Sequence, residues 1–336
     1  MLERNLHVPA RLPADHPPVL VVVVDTEEEF DWGQPFSRDN TATRSIAAQP
    51  LIHERIFDRH GIVPTYCIDW PVATTPTAVA TLRRLMEEGR CEIGTHLHPW
   101  VCPPHEETVN TFNSYTGNLP PELEYRKLEN MTRAISENFG RAPFTFKAGR
   151  YGVGTHTAAS IARLGYHIDA STVPYTSFSS DGGPDFSAHT ETPYWFPADG
   201  RKLLELPVTT AFCGSLRGSG AALYPPLQSP VARALRLGGI ASRAGLLERI
   251  RLTPEGCDAP ALIRLLRTLR AGGCQVFSLT YHSPSLEPGH TPYVRTADEL
   301  ERFLNTVAQA CRYFADELGG TFMSLSALHA RLAASL

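Results

Sequence analysis

The sequence predicts an α/β protein built on a parallel sheet, a closed or distorted β/α barrel of about seven to eight strands. Three observations carry this. Short apolar runs of β-forming residues alternate with helix-period segments almost throughout the 336 residues. The runs are continuously apolar, as strands buried on both faces are. Glycine follows five of the helical segments, at Gly61, Gly89, Gly140, Gly165 and Gly319, where a left-handed residue closes a helix. About eight alternations in a chain of this length fit a barrel better than an open sheet.

In chain order, strands are expected at 19–25, 63–69, 91–98, 144–150, 166–173, 203–209, 275–283 and 321–325. Helices are expected at 45–60, 77–88, 121–139, 155–164, 259–271 and 296–318. The connections 99–120, 176–200 and 212–254 exceed ordinary loops. They read as excursions over one face, the second with hairpin structure. No change of composition divides the chain. It reads as a single catalytic domain over 1–336, with an irregular arm at 1–18 and a core at about 19–328.

Bulk composition excludes several classes. A net charge of −4 with 20% charged residues leaves no basic stripe for nucleic acid. No apolar run approaches the ~20 residues of a membrane span. The opening "MLERNLHVPARLPADHPP" has no apolar signal segment, and seven scattered cysteines without C-x-x-C read as reduced thiols. Both point to a cytoplasmic protein.

Polar residues then collect at strand ends. The run "VLVVVVDTEEEFDW" climbs through six apolar residues into Asp25, Glu27, Glu28, Glu29 and Asp31. His96 and His98 close the third strand, Arg150 the fourth, Asp169 lies on the fifth and His282 closes a late one. Residues two apart on a strand share a face, so His96 and His98 aim together, as Asp25 and Glu27 do. In β/α folds the carboxyl ends of the strands are where sites are built. One carboxylate and two imidazoles suit zinc or a similar divalent cation and leave positions open for water and substrate. Such a cation would offset the crowded carboxylates. The second carboxylate is then free to act as a base. Glu28 and Glu29 read as solvated loop residues.

The chain resembles the polysaccharide deacetylases with a NodB-homology domain, carbohydrate esterase family 4, and more closely their WalW-type branch. "VVVDTEEEFDW", "EIGTHLHPW", "FKAGRYG", "DASTVP" and "LTYHSPSLEPGHTPY" stand in the family's motif order across most of the chain. The resemblance implies a distorted β/α barrel. It also implies a hydrolase of carbon–nitrogen, non-peptide bonds that uses general acid/base catalysis with metal-bound water, zinc being the leading cation. Its substrate would be an N-acetylated, or O-acetylated, amino sugar, polysaccharide or precursor. By resemblance Asp25 is the base, Glu27, His96 and His98 hold the metal, and His282 protonates the leaving amine. Arg150 would hold Asp25 ionised, and Asp169 would orient His282.

The sequence departs from the family at two places, which leaves alternatives open. A threonine separates Asp25 from Glu27, so base and ligand are exchangeable between them. The histidines are two apart rather than four, which makes His105 a rival ligand, and Lys147 competes with Arg150 for the base-holding role. Trp32, Trp100 and Tyr151 are candidate stacking platforms for sugar rings. "GRYGVGTH" lacks the G-x-G-x-x-G spacing of a dinucleotide fingerprint; its glycines would let substrate approach the backbone. A retired carbohydrate-binding protein, or a metal hydrolase of a non-sugar amide, are the other readings.

Overall fold

The computed structural model describes residues 1–30 and 32–335. Asp31, the last of the five acidic residues, lies outside the described residues. The strands in chain order are β1 (Val8–Pro9), β2 (Val19–Thr26), β3 (Thr65–Ile68), β4 (Glu92–Leu97), β5 (Thr145–Ala148) and β6 (Ile168–Asp169). They continue with β7 (Tyr194–Ala198), β8 (Arg201–Glu205), β9 (Thr210–Cys213), β10 (Glu248–Arg251), β11 (Val276–His282) and β12 (Thr321–Phe322).

The main sheet runs β1-β7-β8-β6-β5-β4-β3-β2-β11, with β12 also beside β2. Every pairing from β8 through β11 is parallel; β1 and β7 add an antiparallel end. The sheet curls into a distorted half-barrel, as predicted. Its remaining edge is covered by loops. Along the free edge of β11, the Ser278 amide donates to Thr209 Oγ1 at 2.8 Å, and the Thr280 amide to Leu252 O at 3.1 Å. The edge hydrogen bonds are thus satisfied without a regular strand.

The core has two layers because β2 is apolar on both faces. Val19, Val21 and Val23 join Cys67, Ile168, Leu204 and Val276 inside the curl. Leu325, Leu328 and Leu332 of helix Leu325–Ala333 plug its amino end. Leu20, Val22 and Val24 face the surrounding helices. Each of these six buried β2 side chains is worth roughly 1.5–3 kcal/mol relative to exposure. Inside the curl space is short: a Cβ on Gly94 would stand 2.9 Å from both Cys67 Sγ and Thr145 O.

Several boundaries differ from expectation. The strand predicted at 144–150 stops at Ala148, because Arg150 (φ 54°) and Tyr151 (φ 60°) turn into the left-handed region. Segment 45–60 is not one helix but successive 3₁₀, α and π turns. Helix Leu325–Ala333 was not anticipated, its start hidden by the strand predicted at 321–325. The expected hairpin in the second excursion is β7–β8, turned by Asp199 and Gly200 with φ of 47° and 73°. The third excursion is an antiparallel ribbon, β9–β10, carrying short helices at its tip. The five predicted stop glycines all have positive φ.

Candidate active site

Asp25, Glu27, His96, His98, Lys147 and His282 meet at the carboxyl edge of the curl. The register brings them there: His282 of β11 pairs with Asp25 of β2, and His96 of β4 with Lys147 of β5.

Glu27, His96 and His98 form one buried group whose ligand-type atoms lie within 4.8 Å of one another. Glu27 Oε2 stands 3.6 Å from His96 Nε2 and 3.4 Å from His98 Nε2. Two ligand atoms on a tetrahedral zinc are separated by about 3.4 Å, so the donor set and spacing fit a divalent cation. Burial, opposed by His282 and His96, pushes the Glu27 carboxyl up to about 7. Burial likewise lowers His96, and His98 to about 4. Glu27 Oε1 and His96 Nδ1 are buried without a hydrogen-bond partner. A cation relieves that state: it compensates the buried carboxylate and uses imidazoles that burial already keeps neutral. Exposed His105 stays outside this group.

Glu28 corrects the sequence reading. It is fully buried, not solvated. Its Oε2 accepts a hydrogen bond from His98 Nδ1 at 2.7 Å, and its Oε1 accepts one from Trp100 Nε1 at 2.9 Å. A proton on His98 Nδ1 leaves the Nε2 lone pair facing Glu27. Asp69 stands behind, accepting the Glu28 amide at 2.7 Å; burial and the Glu28 charge push its carboxyl well up. Glu29 is not a solvated residue either: its side chain is 6% exposed, pairs with Arg44 at 3.1 Å and accepts the Ser45 amide at 2.6 Å.

The cation beside Asp25 is Lys147. Its buried ammonium touches Asp25 Oδ1 and donates to Thr280 Oγ1 at 2.9 Å, tying β5 across the curl to β11. Burial acts to raise Asp25, but Lys147, His96 and His282 outweigh it and hold the carboxyl below its ordinary range. Arg150 corrects a second expectation. The left-handed turn after Ala148 carries it away, to Ser114 Oγ at 2.6 Å and onto the Tyr115 ring.

His282 Nε2 faces Asp25 Oδ2 at 3.7 Å, and its Nδ1 bonds Glu255 Oε2 at 2.7 Å. Burial works to lower this imidazole, yet Glu255, Glu27 and Asp25 raise it well above the ordinary value. Glu255 is itself fixed by the His282 amide at 2.9 Å and Ser285 Oγ at 2.6 Å. Asp169 therefore does not orient His282. It pairs in register with Glu205 and accepts Ser171 Oγ at 2.6 Å.

The aromatic candidates divide. Trp100 is 1% exposed and stacks on His98 at 4.2 Å, so it supports a ring of the site and offers sugar no face. Trp32 is 38% exposed and stands edge-on to His282 at 4.8 Å. It borders a cavity of about 770 Å³ that Phe30, Arg44, His290 and Arg295 also line. Tyr151 is half-buried, between Lys147 and Arg251. Gly149 serves His98 rather than substrate, since a Cβ there would meet the imidazole Cδ2 at 2.4 Å.

No family model matches this sequence, and no curated protein matches it. Solved structures do. A Mycobacterium smegmatis protein provisionally named a polysaccharide deacetylase is 19% identical, with a TM-score of 0.52 over 98% of this chain and 96% of that one. PuuE allantoinase is 14% identical, with a TM-score of 0.53 over 94% of this chain and 90% of its own. The 4-alpha-glucanotransferase of Thermococcus litoralis is 12% identical, with a TM-score of 0.51 over 93% of this chain and 40% of that chain. At these identities the shared property is the fold. Three different named activities sit on it, so the site must argue for the chemistry.

Proposed function

We propose that this chain is a metal-dependent deacetylase of the carbohydrate esterase family 4 type, WalW-like, acting on an N-acetylated amino sugar or a cytoplasmic precursor of a polysaccharide. One observation carries the reading: a carboxylate held ionised and an imidazole held protonated flank a buried Glu–His–His group. Glu27, His96 and His98 would hold the cation, zinc by preference. Once bound, it supplies Lewis acidity to the attacking water and the amide carbonyl.

The chain's own residues do the proton work. Lys147 engages Asp25 Oδ1, leaving Oδ2 to take the proton of the attacking water. His282, protonated because Glu255 accepts its Nδ1–H, delivers the Nε2 proton to the departing nitrogen, which cannot leave as an amide anion. Trp32 and Tyr151 would border the sugar, and the cavity beside Trp32 would take the rest of the substrate.

Acetate release from a panel of N- and O-acetylated sugars, by protein loaded in turn with zinc and other divalent cations, tests this. Release that needs a cation is expected. Glu255→Gln should then cut kcat roughly tenfold or more with little change in KM. Cation binding with no acetate from any sugar would sink the deacetylase reading and favour a non-sugar amide or a binding protein.

A further inference from the structure

The tip of the β9–β10 ribbon carries a surface unlike the rest of the molecule. Of twelve large apolar residues exposed among the described residues, seven lie between 216 and 246, among them Leu223, Val231, Leu235 and Ile240. Val231 and Leu235, one helical turn apart, are 69% and 60% exposed. From 206 to 247 the sequence also holds four arginines and no carboxylate, although the whole chain carries a net −4. Arg217, Arg233, Arg236 and Arg243 are all exposed. None pairs with a carboxylate among the described residues; the nearest ion pairs along the chain belong to Arg150 and Arg264.

We infer that this tip docks the protein on an anionic lipid bilayer. Apolar side chains on short helices enter the boundary between headgroups and acyl chains, while the guanidiniums remain among the phosphates. Each arginine near such a surface adds roughly five-fold to partitioning. A globular apolar partner would be matched by the leucines alone and has no use for four unpaired cations. A nucleic acid would use the arginines but not the leucines. The root of the ribbon lies at the candidate active site: Arg251 Nη1 donates to Tyr151 Oη at 3.3 Å, and that ring faces Lys147 at 5.5 Å. Docking would therefore bring the carboxyl edge of the sheet towards the bilayer.

Co-sedimentation of the full chain with vesicles tests this without reference to turnover. Vesicles of phosphatidylcholine are compared with ones in which phosphatidylglycerol replaces part of it. Binding to the anionic vesicles alone is expected, weakening as added salt screens the arginines. The triple variant R233Q/R236Q/R243Q should bind at least ten-fold more weakly, and L235S/I240S should also lose binding. These positions are exposed, and unchanged melting temperatures check that the variants fold. Absence of anionic-vesicle binding at low salt, or binding that the arginine changes leave intact, overturns the inference. So does a dimer that L235S/I240S dissociates while no vesicle is bound, which would assign the surface to a second copy of this chain.

Discussion

Asp25 and Asp169 invite comparison. Both lie at the carboxyl ends of parallel-paired strands in one sheet, and both are buried. Asp25 is on the face inside the curl, and Asp169, which alternates with Ile168 and Ala170, is on the opposite face. Their chemistry is opposite. Asp25 has a buried ammonium, Lys147, against it and stays ionised. Asp169 has another carboxylate, Glu205, in register beside it, and burial pushes both upward. Position at a strand end makes a carboxylate available. The charged group packed against it, across the curl for Asp25 and on the adjoining strand for Asp169, decides whether it can serve as a base.

The strongest way to break this contrast is to neutralise each aspartate. Under the proposed mechanism Asp25→Asn should lower kcat/KM roughly a thousand-fold, while Asp169→Asn stays within a few-fold. Equal losses would mean that the two carboxylates share a role. Next comes the cation. Lys147→Met strands a buried carboxylate, and chemical denaturation should show a loss of roughly 3–5 kcal/mol. Adding Asp25→Asn to it should restore much of that stability; a double variant as unstable as the single would show that Lys147 matters for packing alone.

What was legible in the sequence follows the same line. Asp25, His96, His98 and His282 stood out because each interrupts or ends an apolar run, and strand periodicity gives them a shared face. Lys147 left a usable signal too, a lysine in the middle of the buried strand "TFKA". The arginine beside it drew the assignment instead, because the left-handed turn that diverts Arg150 has no period to betray it. Glu255 sits in an irregular loop after β10 and reaches His282 by tertiary contact alone. Glu28 looked solvated because an acidic run ordinarily is; only the fold supplies the His98 and Trp100 donors that let it be buried.

Those supporting carboxylates sharpen the comparison further. Glu28→Gln should weaken cation affinity by about 10–100-fold, read by competition with a chelating dye. Glu205→Gln should leave that affinity alone. The smallest effect is on the pH dependence of stability. A carboxyl raised in the fold keeps a proton that the unfolded chain releases, so Glu205 costs stability increasingly as pH rises above its unfolded value of 4.5. Asp25, held low, contributes in the opposite sense: its stabilisation is present above 3.8 and is lost on acidification. Glu205→Gln should flatten the fall of the melting temperature towards alkaline pH. An unchanged slope would remove Glu205 as its source.

The ladder between β2 and β11 has a consequence for the order in which the molecule comes apart. Seven register pairs run from Val276 opposite Val19 to His282 opposite Asp25. Backbone amides on these buried strands belong with the last to exchange with deuterium, and those of the ribbon tip with the first. Mild denaturant would then release the ribbon tip as a separate opening unit while Asp25 and His282 stay opposite each other on one rung. Catalysis in solution would outlast attachment to a surface, and the two losses would appear at different denaturant concentrations.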